Sequence, residues 1–595
     1  MQVAEEPLGV LVARVFDPPM VGDVLLFAAM LLLAWFAPST GKRVHERIEA
    51  AVSHHLSSPA RQIVAVGIFA LIARAAFLPW LGPPVPQHHD EFSLMLQAQT
   101  YLAGRLINPT PALWQHFEEI HINVVPAYGS MYFPGRGLPL AVGLWLADNA
   151  WLGVWLSFVL MAMAAVWMLQ AWVSARLALL GGVLVVLRLG VFSYWVNSYW
   201  GGAFTALGAM LVVGAVPRML ERPSWSLGMA LGLGGLILLT TRPYEGALLC
   251  VPLAIYILVF MVRRTGFPVG AMLLKVGLPA ILLAGAGGVA LMAHNQATTG
   301  DPLTTAYTLN RQTYAITPAF LIAPPVVGEQ RGAAYFEGFY NWENEEYAQR
   351  HDPVRMLLVA LKKLYYAFNF HVGLLLAPAF LAGLWASRRE RVLSATIAFF
   401  FAGFLLETWG FPHYTAPILP LMLISTMRGF AWLADWRLRG REFGQALTRS
   451  MSIATALNLV VPSLAVVTGW PRIESEQSRK PCCALLQSSF RSELETRLEA
   501  EPGHDIVLVA SEGRRPPHVP IIYNEPDIEA SEIIWAHDLD PASNQRLLRH
   551  YDGRTIWVLR WTPDGVPTLL RHPEPLAAIP SGEQQRQGKR SGHQA

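Results

Sequence analysis

Residues 60–92 read ARQIVAVGIFALIARAAFLPWLGPPVPQHHDEF, and this stretch decides the architecture. It opens with an apolar run of about the ~20 residues that a helix needs to cross a bilayer. Gly82, Pro83, Pro84 and Pro86 then stop any helix, because proline lacks the amide donor and clashes with the preceding turn. Immediately afterwards stand His88, His89, Asp90 and Glu91. Four ionisable side chains are thus delivered at the mouth of a membrane span.

The rest of the chain agrees with a membrane setting. Charged residues make up 15% of the 595 positions, hydrophobic residues 53%, and mean hydropathy is +0.35. A soluble globule carries about 25% charge, and a disordered chain far fewer apolar residues. Three cysteines cannot staple a fold of this size, and a net charge of +3 gives no basis for nucleic acid as a partner. Residues 470–595 hold 33 of the 87 charges, so the chain divides into a membrane body and a short segment of soluble composition.

Candidate spans lie near 22–37, 62–82, 151–173, 177–195, 203–220, 225–241, 246–262, 270–293, 368–387, 393–408, 415–432 and 450–468. The first is the weakest, being short and carrying Asp23. Seventeen Lys and Arg residues, from Lys42, Arg43 and Arg47 through Arg437, Arg439, Arg441 and Arg449, fall in one set of short connections. The basic set is expected on the cytoplasmic side. The long connections 83–150 and 295–367, and the tail from 470, are then expected outside. This gives a segment 1–60 with one weak span, a body 61–469, a small domain 470–579 and a disordered tail 580–595.

The polar groups concentrate in those outer connections. Asp90 and Glu91 can bind a cation, serve as a general base, or cap the helix expected from Phe92 to Ala103. Beside a low-dielectric wall such a carboxylate can be tuned toward neutral pH. Capping needs only one of the two. His116 and His121, with His88, His89 and Asp90, have the chemistry of a divalent-metal site, or else form a solvated loop. Arg242 breaks the basic-inside pattern. It can snorkel to headgroups, pair with Glu245, or bind a phosphate, and the phosphate is preferred because Arg242 shares its side with the acidic loop. An aromatic belt explains Trp409, Phe411 and Tyr414 but not His413.

Taken in order, these pieces resemble the GT-C superfamily of integral-membrane glycosyltransferases. The protein-mannosyltransferase and aminoarabinose-transferase branch is nearest. The resemblance rests on Asp90-Glu91-Phe92-Ser93 through Gly104-Arg105-Leu106, the Tyr132–Arg136 re-entry, Phe192–Gly202, Thr299-Gly300-Asp301-Pro302-Leu303 with its following tyrosines, and the late His413-Tyr414. It implies an all-α polytopic membrane protein of about 11–13 transmembrane helices with a small C-terminal α/β extracytoplasmic domain. It also implies transfer of a sugar from a polyprenyl-phosphate donor to a glycan, lipid or protein acceptor at the outer face of a bacterial inner membrane. Asp90 would be the base with Glu91 beside it, and His413 and Tyr414 would lie at the lipid phosphate with Arg242. His116, His121, Tyr132, Arg136 and Asp301 are candidate substrate contacts. His413 stands where relatives commonly carry Arg or Lys, and Phe133-Pro134-Gly135-Arg136 where they tend to carry paired prolines.

Two rivals come from other classes. A transporter or lipid flippase expects charges inside spans, and Arg74, Arg188 and Lys275 are the main ones. A non-catalytic envelope-assembly protein expects no reactive group at all. In the tail, Cys482–Ala500 reads as a helix, Asp505–Ala510, Val519–Tyr523, Ile533–His537 and Thr555–Trp561 as strands, and Ala542–Tyr551 as a helix. Adjacent Cys482 and Cys483 are expected as two thiols or as an accessory bond.

Overall fold

The computed structural model describes residues 18–326, 334–348, 350, 352–386, 391–469, 483, 489–510, 518–562 and 565–572. The expected disorder of 580–595, the start of the N-terminal segment and Cys482 lie outside them. The chain forms two compact units. The helical unit comprises Met1–Pro84, Val154–Gly288 and Leu357–Leu486, and the second comprises Val85–Gly153, Val289–Met356 and Gln487–Ala595.

All twelve candidate spans fall on helices. Among the described residues six helices are long and apolar enough to cross a membrane, and a bent pair makes a seventh. The apolar helices Gly22–Phe36, Trp225–Thr241 and Arg391–Phe404 are shorter. Ala175–Leu189, at 15 residues, is shorter too. At about 1.5 Å per residue it spans roughly 22 Å, less than a bilayer core. The stretch read as one span over 62–82 is Pro59–Ala75 followed by the separate turn Leu78–Leu81.

Small residues set the closest helix contact in this unit. A Cβ at Gly383 would lie 1.6 Å from the Ser425 carbonyl oxygen, and one at Gly429 1.6 Å from that of Ala379. Ala379 and Gly383, and Ser425 and Gly429, are each four apart, so both helices present a small-residue stripe that lets their backbones meet. The bent pair, Pro353–His371 and Gly373–Ala386, turns by 95°. Arg188 fills the bend: its Nε donates to the Phe370 carbonyl at 2.9 Å and its Nη2 to that of Asn369. Arg74 likewise donates to Asn197 Oδ1 at 3.0 Å and the Gly82 carbonyl at 2.8 Å. These two span charges satisfy helix-end carbonyls and a loop, and Lys275 is exposed. They therefore give the transport reading no support.

In the second unit β1 (Asn108–Pro109), β2 (Ile122–Asn123) and β3 (Ala127–Ser130) form a small antiparallel sheet in the order β1-β3-β2. The C-terminal part carries β4 (Asp505–Ala510), β5 (Ile533–Asp538), β6 (Thr555–Trp561) and β7 (Pro567–Arg571), ordered β5-β4-β6-β7. β5 and β6 are parallel to the central β4, and β7 pairs antiparallel at the edge. Helices Phe490–Glu499 and Pro541–His550 complete it.

The tail differs from its reading in two places. The described helix is Phe490–Glu499 with Ser489 as its N-cap, and Cys482 and residues 484–488 of the expected helix lie outside the described residues. Val519–Tyr523 is not a strand: Pro520 offers no donor, and the Ile522 amide donates to Glu119 Oε2 at 3.0 Å instead of to a neighbouring strand. β7 was not foreseen, because Pro567 at its start reads as a break; an edge strand tolerates it. Cys483 is disulfide-bonded and buried, which overturns the expectation of two separate thiols.

Candidate active site

The helix His89–Leu102 positions the acidic pair. His88 is its N-cap, in extended conformation. Glu91 Oε2 accepts the amide N–H groups of Gln87 at 2.6 Å and of His88 at 3.1 Å, and the side chain is 1% exposed. Glu91 thus satisfies orphan donors at the helix start. Its carboxylate is committed to backbone, so we do not carry it forward as a second catalytic acid.

Asp90 turns the other way. Its carboxylate accepts the hydroxyl of Tyr132 through Oδ1, and Oδ2 lies 3.7 Å from Nδ1 of His121. The Tyr132 hydroxyl is also 3.2 Å from that nitrogen, and the Arg136 guanidinium sits 4.4 Å from the centre of the Tyr132 ring. The helix holds this arrangement with one face. Ser93 Oγ donates to the His121 carbonyl at 2.7 Å, Gln97 Nε2 to that of Tyr132 at 3.1 Å, and Tyr101 OH to that of Pro134 at 3.1 Å. Residues 90, 93, 97 and 101 recur at helical spacing, so a single stripe carries Asp90 and the three groups that fix its partners. His121 has a left-handed backbone, φ 65°, which aims its ring across the strand turn.

Burial opposes the Asp90 charge, but His121, the Tyr132 hydroxyl, Arg136 and His88 outweigh it and hold its pKa below the ordinary carboxylate value. Burial pushes the His121 imidazole down as well. The low Asp90 value is set by these partners together. This corrects the expectation of a carboxylate tuned toward neutral pH: the low-dielectric wall is present, but local donors win.

The histidines divide. His89 Nδ1 lies 2.9 Å from the Tyr523 hydroxyl and Nε2 3.1 Å from that of Tyr335. His116 Nδ1 is 2.8 Å from the His537 carbonyl oxygen, and burial pushes its pKa down. Both rings bind the pieces of this unit together. Among the described residues no three of His, Cys, Asp and Glu are grouped so as to hold a metal ion. The metal site expected from His88, His89 and Asp90, with His116 and His121, is not formed, because both His89 nitrogens are spoken for. Asp301 is exposed and closes its own turn, accepting Thr304 Oγ1 at 2.6 Å and the Leu303 amide at 3.1 Å. Those bonds hold its pKa down.

The helical unit holds the other group of predicted residues. Arg242 caps the helix Pro243–Arg263. Its Nη1 donates to Glu245 Oε1 at 2.8 Å, and its guanidinium lies 3.7 Å from the centre of the Tyr414 ring. His413 is 3% exposed, 4.9 Å from Tyr414 centre to centre, with Nδ1 3.1 Å from the Tyr194 hydroxyl. Trp200 and Phe411 close around it at 5.0 and 5.7 Å. Two members of this group were not foreseen as site residues. Glu407 is buried. Lys363 Nζ donates to the Glu407 carbonyl at 2.6 Å. Burial works against the Arg242 charge, but Glu245, Tyr414 and Glu407 outweigh it and push its pKa up. The only sequence signal for Glu407 was an acidic residue at the end of an apolar span.

This fold is shared with solved structures. Over 85% of this chain and 94% of the other it superposes on ArnT from Cupriavidus metallidurans in the apo state, with TM-score 0.51 and 13% identity. The same ArnT bound to undecaprenyl phosphate gives TM-score 0.49 and 13% identity, over 84% and 92% of the two chains. The Archaeoglobus fulgidus oligosaccharyltransferase in the apo form gives 0.41 and 10%, over 76% and 62%. No protein-family model and no curated protein matches the chain. The chain shares the fold of the apo ArnT structure: a body of apolar helices with a small C-terminal α/β region.

Proposed function

We propose that this protein is a glycosyltransferase that moves a sugar from a polyprenyl-phosphate donor to an acceptor at the outer face of the bacterial inner membrane. The observation that carries the reading is Asp90: an anionic carboxylate at a helix start, held by Tyr132 and faced by His121 and Arg136, while its neighbour Glu91 does the capping. The polyprenyl-phosphate donor follows from the resemblance of the sequence, and the fold shared with the apo ArnT structure supports it.

In this proposal Asp90 accepts the proton of the acceptor hydroxyl as its oxygen bonds to C1 of the sugar. The bond from C1 to the phosphate oxygen breaks, and the polyprenyl phosphate leaves with the electron pair. Arg242, with Tyr414 and His413, offers donors and positive charge to that phosphate. A single displacement inverts the anomeric centre. Glu91 is a positioning residue. Tyr132, His121 and Arg136 are the contacts through which the acceptor would be oriented.

The decisive test is Asp90→Asn, which keeps shape and polarity but cannot take the proton. It should leave expression and donor binding intact and lower transfer by about 10²–10⁴-fold. Transfer at near the parental rate would remove Asp90 from the mechanism. Impermeant cysteine labelling tests the sidedness: probes at Asp301 should react in intact cells and probes at Arg439 should not.

A further inference from the structure

At the opposite, basic end of the helical unit lies a cavity of about 420 Å³. The helix Pro18–Phe36 supplies Trp35 and Phe36 to its wall. The turn after it returns the chain through Gly41, φ 71°, to Lys42 at the start of Lys42–His55. The facing wall comes from Arg441, Phe443 and Arg449. Arg441 is placed by a tight reversal in which Arg439 and Gly440 are both left-handed and Leu438 bridges Arg441. Its guanidinium lies 5.4 Å from the centre of the Trp35 ring.

The cavity has a polar focus. Arg449 Nη2 donates to the Pro38 carbonyl at 2.5 Å, which ties the two walls together. Arg449 Nε is buried and has no hydrogen-bond partner among the described residues. Lys42 and Arg441 add two further cations. The one acidic side chain at the rim, Glu442, lies 3.8 Å from Arg437. The lining therefore carries three cations against one carboxylate, and its size falls within the roughly 300–1,000 Å³ of small-ligand sites. Below the polar ring the helix Pro18–Phe36 exposes Leu25, Leu32, Leu33 and Phe36. A ligand with a phosphate head and apolar chains matches both parts.

We propose that this pocket binds a phosphate-bearing headgroup, with Lys42, Arg441 and Arg449 around the phosphate and Trp35 and Phe443 beside the backbone to which it is attached. A membrane phospholipid is the source that the exposed leucines favour; a free phosphate is the other source of the same chemistry. Basic pockets between spans on the cytoplasmic side take anionic headgroups in this way. The proposal does not depend on the glycosyltransferase reading.

The test is native mass spectrometry of the intact protein in mild detergent, offered phosphatidylglycerol or phosphatidylcholine, with a separate titration by inorganic phosphate. The parent should retain phosphatidylglycerol in preference to phosphatidylcholine. Lys42→Gln with Arg441→Gln should reduce that retention by about tenfold or more, since each cation near a lipid surface is worth roughly fivefold. Lys42→Gln alone, at an exposed side chain, should lose about fivefold and serves if the double variant folds poorly. Saturable binding of inorganic phosphate by the parent and not by the variant, with no lipid preference, would keep the phosphate site and assign it to a free anion. Equal retention of both lipids without phosphate binding, or unchanged retention in both variants, would overturn the proposal.

Discussion

Replacing Tyr132 by Phe removes the hydroxyl that bonds the Asp90 carboxylate and also lies 3.2 Å from His121 Nδ1. The ring stays, and with it the Arg136 guanidinium 4.4 Å from its centre. The lost bond is to an ionised acceptor, a class worth about 1.5–3 kcal/mol. At about 1.36 kcal/mol per pKa unit, the Asp90 carboxyl should rise by about 1–2 units. The sign follows from the hydrogen bond favouring the charged form, so its removal favours the proton. Transfer needs the carboxylate, so the acid limb of kcat/KM should move up by that amount while the plateau above it changes little. The parent should keep its activity into acid, because its Asp90 is held below the ordinary carboxylate value. The assay is release of polyprenyl phosphate from a synthetic polyprenyl-phosphate sugar in detergent, measured by chromatography from about pH 2 to 8 so that both acid limbs fall in range. An acid limb in the same place for Tyr132→Phe and parent would refute the assignment of this bond to the charged base. A limb that moved down would reverse the electrostatic argument.

Two further outcomes are expected. Glu91→Ala should lower the apparent Tm, because two half-buried amides lose their acceptor at up to about 1 kcal/mol each, whereas Glu91→Gln keeps an acceptor oxygen and most of the activity; abolished transfer in a folded Glu91→Gln protein would return Glu91 to the chemistry. Arg242→Ala strands Glu245 and should destabilise the protein by about 3–5 kcal/mol, so donor KM is best read in Arg242→Gln with Glu245→Gln, where an unchanged KM would place the phosphate elsewhere.

The sequence by itself determined the membrane body, because twenty-residue apolar runs and the placement of Lys and Arg report directly on the solvent around each segment. It also determined β4 and β6 to the residue, where short β-branched runs sit between turn signals. It brought Asp90 to notice through its neighbours at the end of a span. Tertiary structure decided what adjacent residues do. Asp90 and Glu91 are the same chemistry one position apart, yet successive residues on a helix point about 100° apart, so one meets Tyr132 and the other its own backbone. Val519–Tyr523 has the composition of a strand, but Pro520 has no amide donor and Glu119 takes the Ile522 amide. Arg188 and Arg74 look like transport charges until the helix ends that they satisfy are in place. Glu407 and Lys363 lie 44 residues apart in the chain and meet only because the chain folds back on itself between them. A pattern along the chain records which solvent a residue faces; which partner it finds there is set by elements hundreds of positions away, as His89 and Tyr523 show at a separation of 434.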